Sequence, residues 1–379
     1  MPPLPESSAI LQVLPSLVTG GVERGAVEIA QAIAETGARS LVASAGGPLV
    51  QAIERAGGTH VTLPLATKSP LGIWRNAAAL EAVIRAEGIS LVHARSRAPA
   101  WSAWLACQRT SVPFVTTYHG TYGEEFPFKR RYNSVMARGR IVIAASRYIA
   151  DLVMRQHRMP AERIRVIPRG VDPAQFDPAG IGDDRIARLR QAWRLPDGSR
   201  AVMLPGRLTA WKGQAVLLDA IARLNRQDVV AVLVGSHQGR HHYARELEQQ
   251  AQRLGIADRL RLVGHCDDMP AALCLADVVA HASTQPEAFG RVVIEAQAMG
   301  RPVVASDLGG PVETVRHGET GWRVTPGDPA ALAAAIAVAL DLDPAARQAL
   351  GERARASVPT VRAMQDATLA VYRTVLEAE

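Results

Sequence analysis

Cysteine is nearly absent from this chain of 379 residues. The three present, Cys107, Cys266 and Cys274, form no CxxC pair and no metal-ligand spacing, which argues against a disulfide scaffold and against structural zinc. They read as core thiols of a reducing cytoplasm. Aromatic residues make up 4% of the chain, and no interleaving of aromatics with a recognisable module supports a nucleic-acid-binding reading. No apolar run approaches the roughly 18 residues of a membrane span; VVAVLVG (229–235) has the length of a buried strand. The start, MPPLPESSAI, lacks the basic and apolar regions of a secretory leader, so the expected location is cytoplasmic. GxGxxG is missing from the first turn. No D-x-D is placed for metal chelation, since DLD (341–343) runs into a proline near the end.

What is present is alternation. AILQVLPSL, SLVASA, HVTLPL, SLVHARS, FVTTYHG and IVIAAS are short apolar runs separated by amphipathic segments such as GAVEIAQAIAETG. AVMLPGRLT, VVAVLVGS, LRLVGHC, DVVAHAS, PVVASD and GWRVTP repeat the arrangement in the second half. Runs of this kind predict parallel sheets covered on both faces. The length calls for two cores. The expected architecture is therefore α/β: two Rossmann-like, doubly wound domains facing a cleft. The expected segments are an N-terminal domain over 1–170, a linker over 171–184, a C-terminal domain over 185–355, and a helical tail over 356–379 packing back on the first domain. The Pro-, Gly- and Asp-rich stretch from Arg163 to Asp184 reads as the irregular connection as a whole.

Net charge is +7, with 20 Lys/Arg against 13 Asp/Glu in residues 1–178 and an even balance thereafter. Residues 91–170 hold 14 basic and four acidic side chains. A phosphorylated acceptor, an anionic lipid surface or nucleic acid as partner of the first domain would each account for this, as would solvated arginine side chains alone.

Four stretches carry chemistry. In PEAFGRVVIE (286–295), Glu287 precedes and Glu295 lies one turn inside a helix predicted to start near Arg291, with Gly300 as its terminator. Carboxylates there cap the helix or frame a hydroxyl-rich ligand whose phosphates meet the free N–H groups. GRLTAWKGQ (206–214) puts Arg207 and Lys212 on one strand-to-helix loop, a spacing that can clamp a diphosphate or leave both cations solvated. GGVERG (20–25) forms the first strand-to-helix turn, where glycines admit a ligand close to the backbone. His119, in TTYHG at a strand's C-terminal end, suits a general base or a donor to a ligand hydroxyl.

Taken in order along nearly the whole chain, GGVERG, TTYHG, VIPRGVD, GRLTAWKG, PEAFGRVVIE and AMGRPVVASDLGGPVE resemble the retaining, nucleotide-sugar-dependent glycosyltransferases of family 4, whose fold is called GT-B. The resemblance implies catalytic roles for His119, Glu287, Arg207 and Lys212. Arg207 and Lys212 would hold the donor diphosphate and stabilise its departing charge without a metal ion. Glu295 would accept from the ribose, and Glu287, Ala288, Phe289 and Gly290 would lie at the donor sugar and phosphate. Val263, Gly264 and His265 would meet the base, with UDP favoured over GDP or ADP. Gly21 would lie under the phosphates, and Gly20, Gly21, Val22 and His119 would form the acceptor side. No cofactor beyond the donor is implied. Arg169 departs from the family pattern, which often reads PNGVD.

The basic first half, with KSPLGIWRN (68–76) and EEFPFKRRYNSVMARGR (124–140), adds the expectation of a peripheral enzyme at the inner membrane surface. Its acceptor would be a lipid-linked or lipopolysaccharide glycan, with a soluble sugar phosphate as the alternative. An epimerase or phosphorylase could share the architecture, but no cofactor-lysine motif favours the latter.

Overall fold

The computed structural model describes residues 4–378 except 6, 19, 124, 125 and 238; residues 1–3, Glu6, Glu124 and Glu125 of the stretches quoted above lie outside the described residues. The chain divides into two compact units, residues 1–169 with 361–379, and residues 170–360.

Unit 1 is built on seven strands: β1 (Ala9–Val13), β2 (Arg39–Ser44), β3 (Thr59–Thr62), β4 (Leu91–Ala94), β5 (Phe114–Tyr118), β6 (Val142–Ala144) and β7 (Ile164–Val166). They stand in the order β3-β2-β1-β4-β5-β6-β7, every pair parallel. Helices connect them. The first, Gly21–Glu35, repeats small and branched apolar residues at helical spacing, burying Ala26, Ile29, Ala30 and Ile33. The last helix of the chain, Val361–Glu377, belongs to this unit. Its Leu369, Tyr372 and Val375 join Ile10, Ile29, Ile33, Leu91 and Val115 in one core, each such side chain contributing roughly 1.5–3 kcal/mol on burial.

Unit 2 holds β8 (Arg200–Pro205), β9 (Val229–Val234), β10 (Leu260–Gly264), β11 (Val278–His281), β12 (Val303–Ser306) and β13 (Trp322–Val324), again all parallel, in the order β10-β9-β8-β11-β12-β13. Val202, Leu204, Leu217, Leu218, Ile221 and Ile336 centre its core.

One expectation needs correction. The stretch 163–184 is not irregular throughout: Ile164–Val166 is β7, pairing with β6, and a helix starts at Asp183. β7 has three residues and sits at the sheet edge with Arg165 and Val166 exposed, so it lacks the apolar run that marks the inner strands. Of the last two helices, Pro344–Ser357 lies in unit 2 and Val361–Glu377 in unit 1.

In each unit the strand order reverses at one point, between β1 and β4 and between β8 and β11. The connections leave such a point in opposite directions, so a crevice opens at the carboxyl ends of the two strands. The chemistry-bearing stretches sit there.

Candidate active site

In unit 2 the switch point gathers two loops. The first leaves β8 through Gly206, Arg207 and a short turn, Ala210–Lys212. Gly213 then starts the next helix at φ 75°, and a Cβ there would stand 1.9 Å from the Ala282 carbonyl oxygen, so glycine is required on both counts. The second loop follows β11 and holds Ser283 and Glu287. It is tied to the first where the Thr284 N–H donates to the Trp211 carbonyl at 2.8 Å. Gly290, at φ 78°, opens the helix Arg291–Ala298 and lies against Pro311. The Gly310 N–H donates to the Glu287 carbonyl at 2.8 Å, fixing the backbone on either side of the carboxylate.

Three donors converge on one oxygen of Glu287. Lys212 Nζ and His281 Nε2 each stand 2.6 Å from Oε1, and the Ser283 hydroxyl donates to the same atom. The Lys212 and Glu287 side chains are 13% and 14% exposed, so the pair is largely withdrawn from water. Burial alone would push the Glu287 pKa up. His281, then Lys212, outweigh it and hold the carboxyl well below its ordinary range. The His281 proton that meets the carboxylate sits on Nε2, while Nδ1 is buried with no partner among the described residues.

Arg207 is exposed and makes no ion pair among the described residues; its carbonyl accepts from Gln214 Nε2 at 2.9 Å. Glu295 lies inside the helix as expected, buried, with Arg291 Nε 3.1 Å from Oε1. Phe289 is buried. Val263 and Gly264 end β10, and His265 follows it. Gly264 accepts from the Gly235 N–H at 2.7 Å, and His265, half exposed, stands 3.0 Å from Asp267. Among the described residues no group of three or more His, Cys, Asp or Glu side chains is placed to hold a metal ion.

Unit 1 has its own cluster. Gly20 precedes the first helix and gives no side-chain cap. Val22 from this turn, Arg95 and Ser96 after β4, and His119 and Tyr122 after β5 wall a cavity of about 240 Å³. His119 is half-buried. Arg169 Nη2 lies 2.7 Å from its Nδ1 and 3.5 Å from its Nε2, beside the ring and off the lone-pair axis. Burial, Arg169, Arg95 and His93 all push the His119 pKa well below its usual value, so the ring is neutral near pH 7. Behind it, Arg95 Nε donates to Gln12 Oε1 at 2.6 Å, and His93 bridges the Tyr372 hydroxyl and Thr117 Oγ1, both at 2.6 Å.

The structure thus brings Lys212 and Glu287 together in unit 2, and Val22 and His119 together in unit 1. His281, Ser283, Gln12, Arg95 and Tyr372 were not singled out by the sequence. The only sequence signal for His281 and Arg95 is a polar residue at the end of a buried strand, in VVAHAS and LVHARS.

These two doubly wound units, each with polar groups at its switch point, define a two-domain α/β transferase, and known proteins fix its family. Residues 19–175 match the family model described as Glycosyltransferase Family 4, and residues 185–357 that of Glycosyl transferases group 1. A D-inositol 3-phosphate glycosyltransferase of Xylanimonas cellulosilytica is 34% identical over 288 residues, 71% of this chain and 68% of that protein. Curated relatives of the same name are matched over about two thirds of their length. The crystal structure of a glycosyltransferase from Rickettsia africae superposes with a TM-score of 0.91 at 32% identity, covering 99% of this chain and 100% of that one. Anabaena Alr3699/HepE in complex with UDP and glucose gives 0.85 at 28% identity, over 97% and 100%. The chain belongs to glycosyltransferase family 4. It is an enzyme that transfers a sugar from a nucleotide-sugar donor.

Proposed function

We propose that the donor is a UDP-sugar, that transfer proceeds with retention and without a metal ion, and that the acceptor is an anionic envelope glycan or its lipid-linked precursor. The observation that carries the donor half is the Lys212–Glu287–His281–Ser283 network at the switch point of unit 2, beside the exposed Arg207. Arg207 offers a bidentate fork to the diphosphate. Lys212 keeps donors free beyond the one it gives Glu287, and so adds a point charge as the leaving phosphate develops its own. Glu287, ionised and held in place, accepts from hydroxyls of the donor sugar, while Glu295 accepts from the ribose. The N–H groups of Ala288, Phe289 and Gly290 lie at the sugar and phosphate. Val263, Gly264 and His265 take the base. His119, neutral, donates to a ligand oxygen, and Gly20, Gly21 and Val22 line the acceptor side. The UDP complex of the 28%-identical Anabaena protein supports the choice of base.

A thermal-shift titration with UDP, GDP, ADP and CMP, with and without Mg²⁺, tests the donor. UDP is expected to stabilise the wild type irrespective of metal, and less so in Glu295→Ala. Stabilisation by another nucleotide, or only with Mg²⁺, overturns this half.

The acceptor half draws on the surface of unit 1. Leu71 and Trp74 on the helix Pro70–Ala86, and Phe126 and Phe128 at the helix Pro127–Asn133, are more than half exposed. Lys68, Arg75, Lys129, Arg130 and Arg131 stand exposed beside them. Apolar side chains flanked by cations suit an anionic lipid surface. No single helix among the described residues is long and apolar enough to cross a membrane. Binding to anionic liposomes at low salt is expected, with loss in Trp74→Ser/Phe128→Ser. Absence of binding would move the acceptor to a soluble sugar phosphate, the reading favoured by relatives named for D-inositol 3-phosphate.

A further inference from the structure

His281 is the last residue of β11, stands opposite Ala305 of β12 and is 3% exposed. Its ring is met on one side only. Nε2 lies 2.6 Å from Glu287 Oε1, while Nδ1 is buried with no partner among the described residues. A neutral ring with its proton on Nε2 strands the Nδ1 lone pair, and a cationic ring would strand an N–H. An apolar side chain at the end of a buried strand avoids that loss altogether. The ring is therefore explained by what Nε2 does.

What it does is saturate one oxygen. Glu287 Oε1 takes Lys212 Nζ at 2.6 Å and the Ser283 hydroxyl as well as the imidazole, more donors than its lone pairs number. Oε2 takes no donor from the described residues and is not sealed in the interior. The last bond of a glutamate side chain has no sharp rotational preference. With Lys212 alone the carboxylate could turn and take the ammonium on both oxygens. His281 comes from a strand paired on both sides, so it removes that freedom. Burial opposes the ionised form of Glu287, and among the groups that overcome it His281 comes before Lys212.

We propose that His281 is a positioning residue of the transfer reaction: it holds Oε1 of Glu287 so that Oε2 is the single acceptor offered to a hydroxyl of the donor sugar. The proposal rests on the donor reading above.

His281→Gln, His281→Asn and His281→Leu test it in the full chain. Glutamine carries its amide N–H about as far from the backbone as Nε2, and asparagine only about as far as Nδ1. Release of UDP from UDP-glucose, UDP-galactose and UDP-N-acetylglucosamine gives kcat for whichever the wild type uses, and calorimetry gives the UDP affinity. In His281→Asn and His281→Leu kcat is expected to fall about tenfold or more, and in His281→Gln to stay within about threefold, with UDP affinity unchanged in all. A merely structural role would not separate glutamine from asparagine.

The Glu287 carboxyl, followed by heteronuclear NMR and assigned with Glu287→Gln, gives a second reading. The charged and titratable groups facing it are Lys212 from the loop after β8 and His281 from β11. Its midpoint should move up towards the ordinary range in His281→Asn and His281→Leu, and stay low in His281→Gln. Full kcat in His281→Leu, an equal loss in His281→Gln, an unmoved midpoint or a parallel fall in UDP affinity overturns the proposal. Should His281→Leu fail to fold by circular dichroism, the glutamine and asparagine variants decide. Should the wild type release UDP from none of the three sugars, the donor reading fails separately, and the carboxyl titration alone decides whether His281 holds Glu287.

Discussion

The two switch points solve the same problem in opposite ways. In unit 2 the cation and the carboxylate come from the chain itself: Lys212 is neutralised by Glu287, and His281 and Ser283 complete the shell around one oxygen. In unit 1 the cation is Arg95, and its direct partners are an amide oxygen and a phenol. A matched pair is rigid before any ligand arrives, which suits a group that must meet developing charge without reorganising. A buried cation held by neutral acceptors, with the Glu28 carboxylate acting only through space, is placed just as firmly, which suits a tie between neighbouring strands and the last helix. Lysine serves the first purpose as a compact charge. Arginine serves the second as a fork.

Breaking the matched pair is expected to have the largest effect. Lys212→Met keeps an unbranched stem of similar length and removes the charge, together with its place 4.7 Å over the Trp211 ring. Initial rates of transfer from a UDP-sugar should show kcat/KM lower by about 10²–10³, the scale of losing one preorganised donor to developing charge. A loss below about tenfold would mean that Lys212 merely holds Glu287, and the contrast between the two switch points would collapse.

Much of this arrangement was legible beforehand. Twelve of the thirteen strands coincide with apolar runs visible in the chain, because buried parallel strands need unbroken hydrophobicity. β7 escaped because its three residues, two of them exposed, run straight into the Pro-, Gly- and Asp-rich stretch that reads as a connection. The spacing of Glu287 and Glu295, and the placing of Arg207 and Lys212 on one loop, could also be read. Their partners could not. His281 meets Lys212 through Glu287 only because β8 and β11 are neighbours, though 72 residues of chain lie between the two strands. Arg95 reaches Gln12 across β1 and β4, and His93 meets Tyr372 near the other end of the sequence. Polar networks closed by strand order leave no local period, so only the fold reveals them.

The smaller effect sharpens the comparison through pH. The Glu287 carboxyl, ordinarily at 4.5, is held well below that value when folded. A depressed carboxyl contributes stability that is fully present above its unfolded pKa and lost as pH falls through the folded one. Glu287→Gln removes this contribution and leaves Lys212 buried without its charge partner, so at pH 7 the unfolding free energy should drop by about 3 kcal/mol. As pH is lowered from about 5 towards 2, the wild type should lose stability faster than the variant, and the two should converge. Urea denaturation at pH 7, 5, 4 and 3 measures both curves. Parallel acid limbs would show that Glu287 is not the depressed carboxyl, and that the charge of Lys212 is met from elsewhere. In that case the contrast between the two switch points would fall.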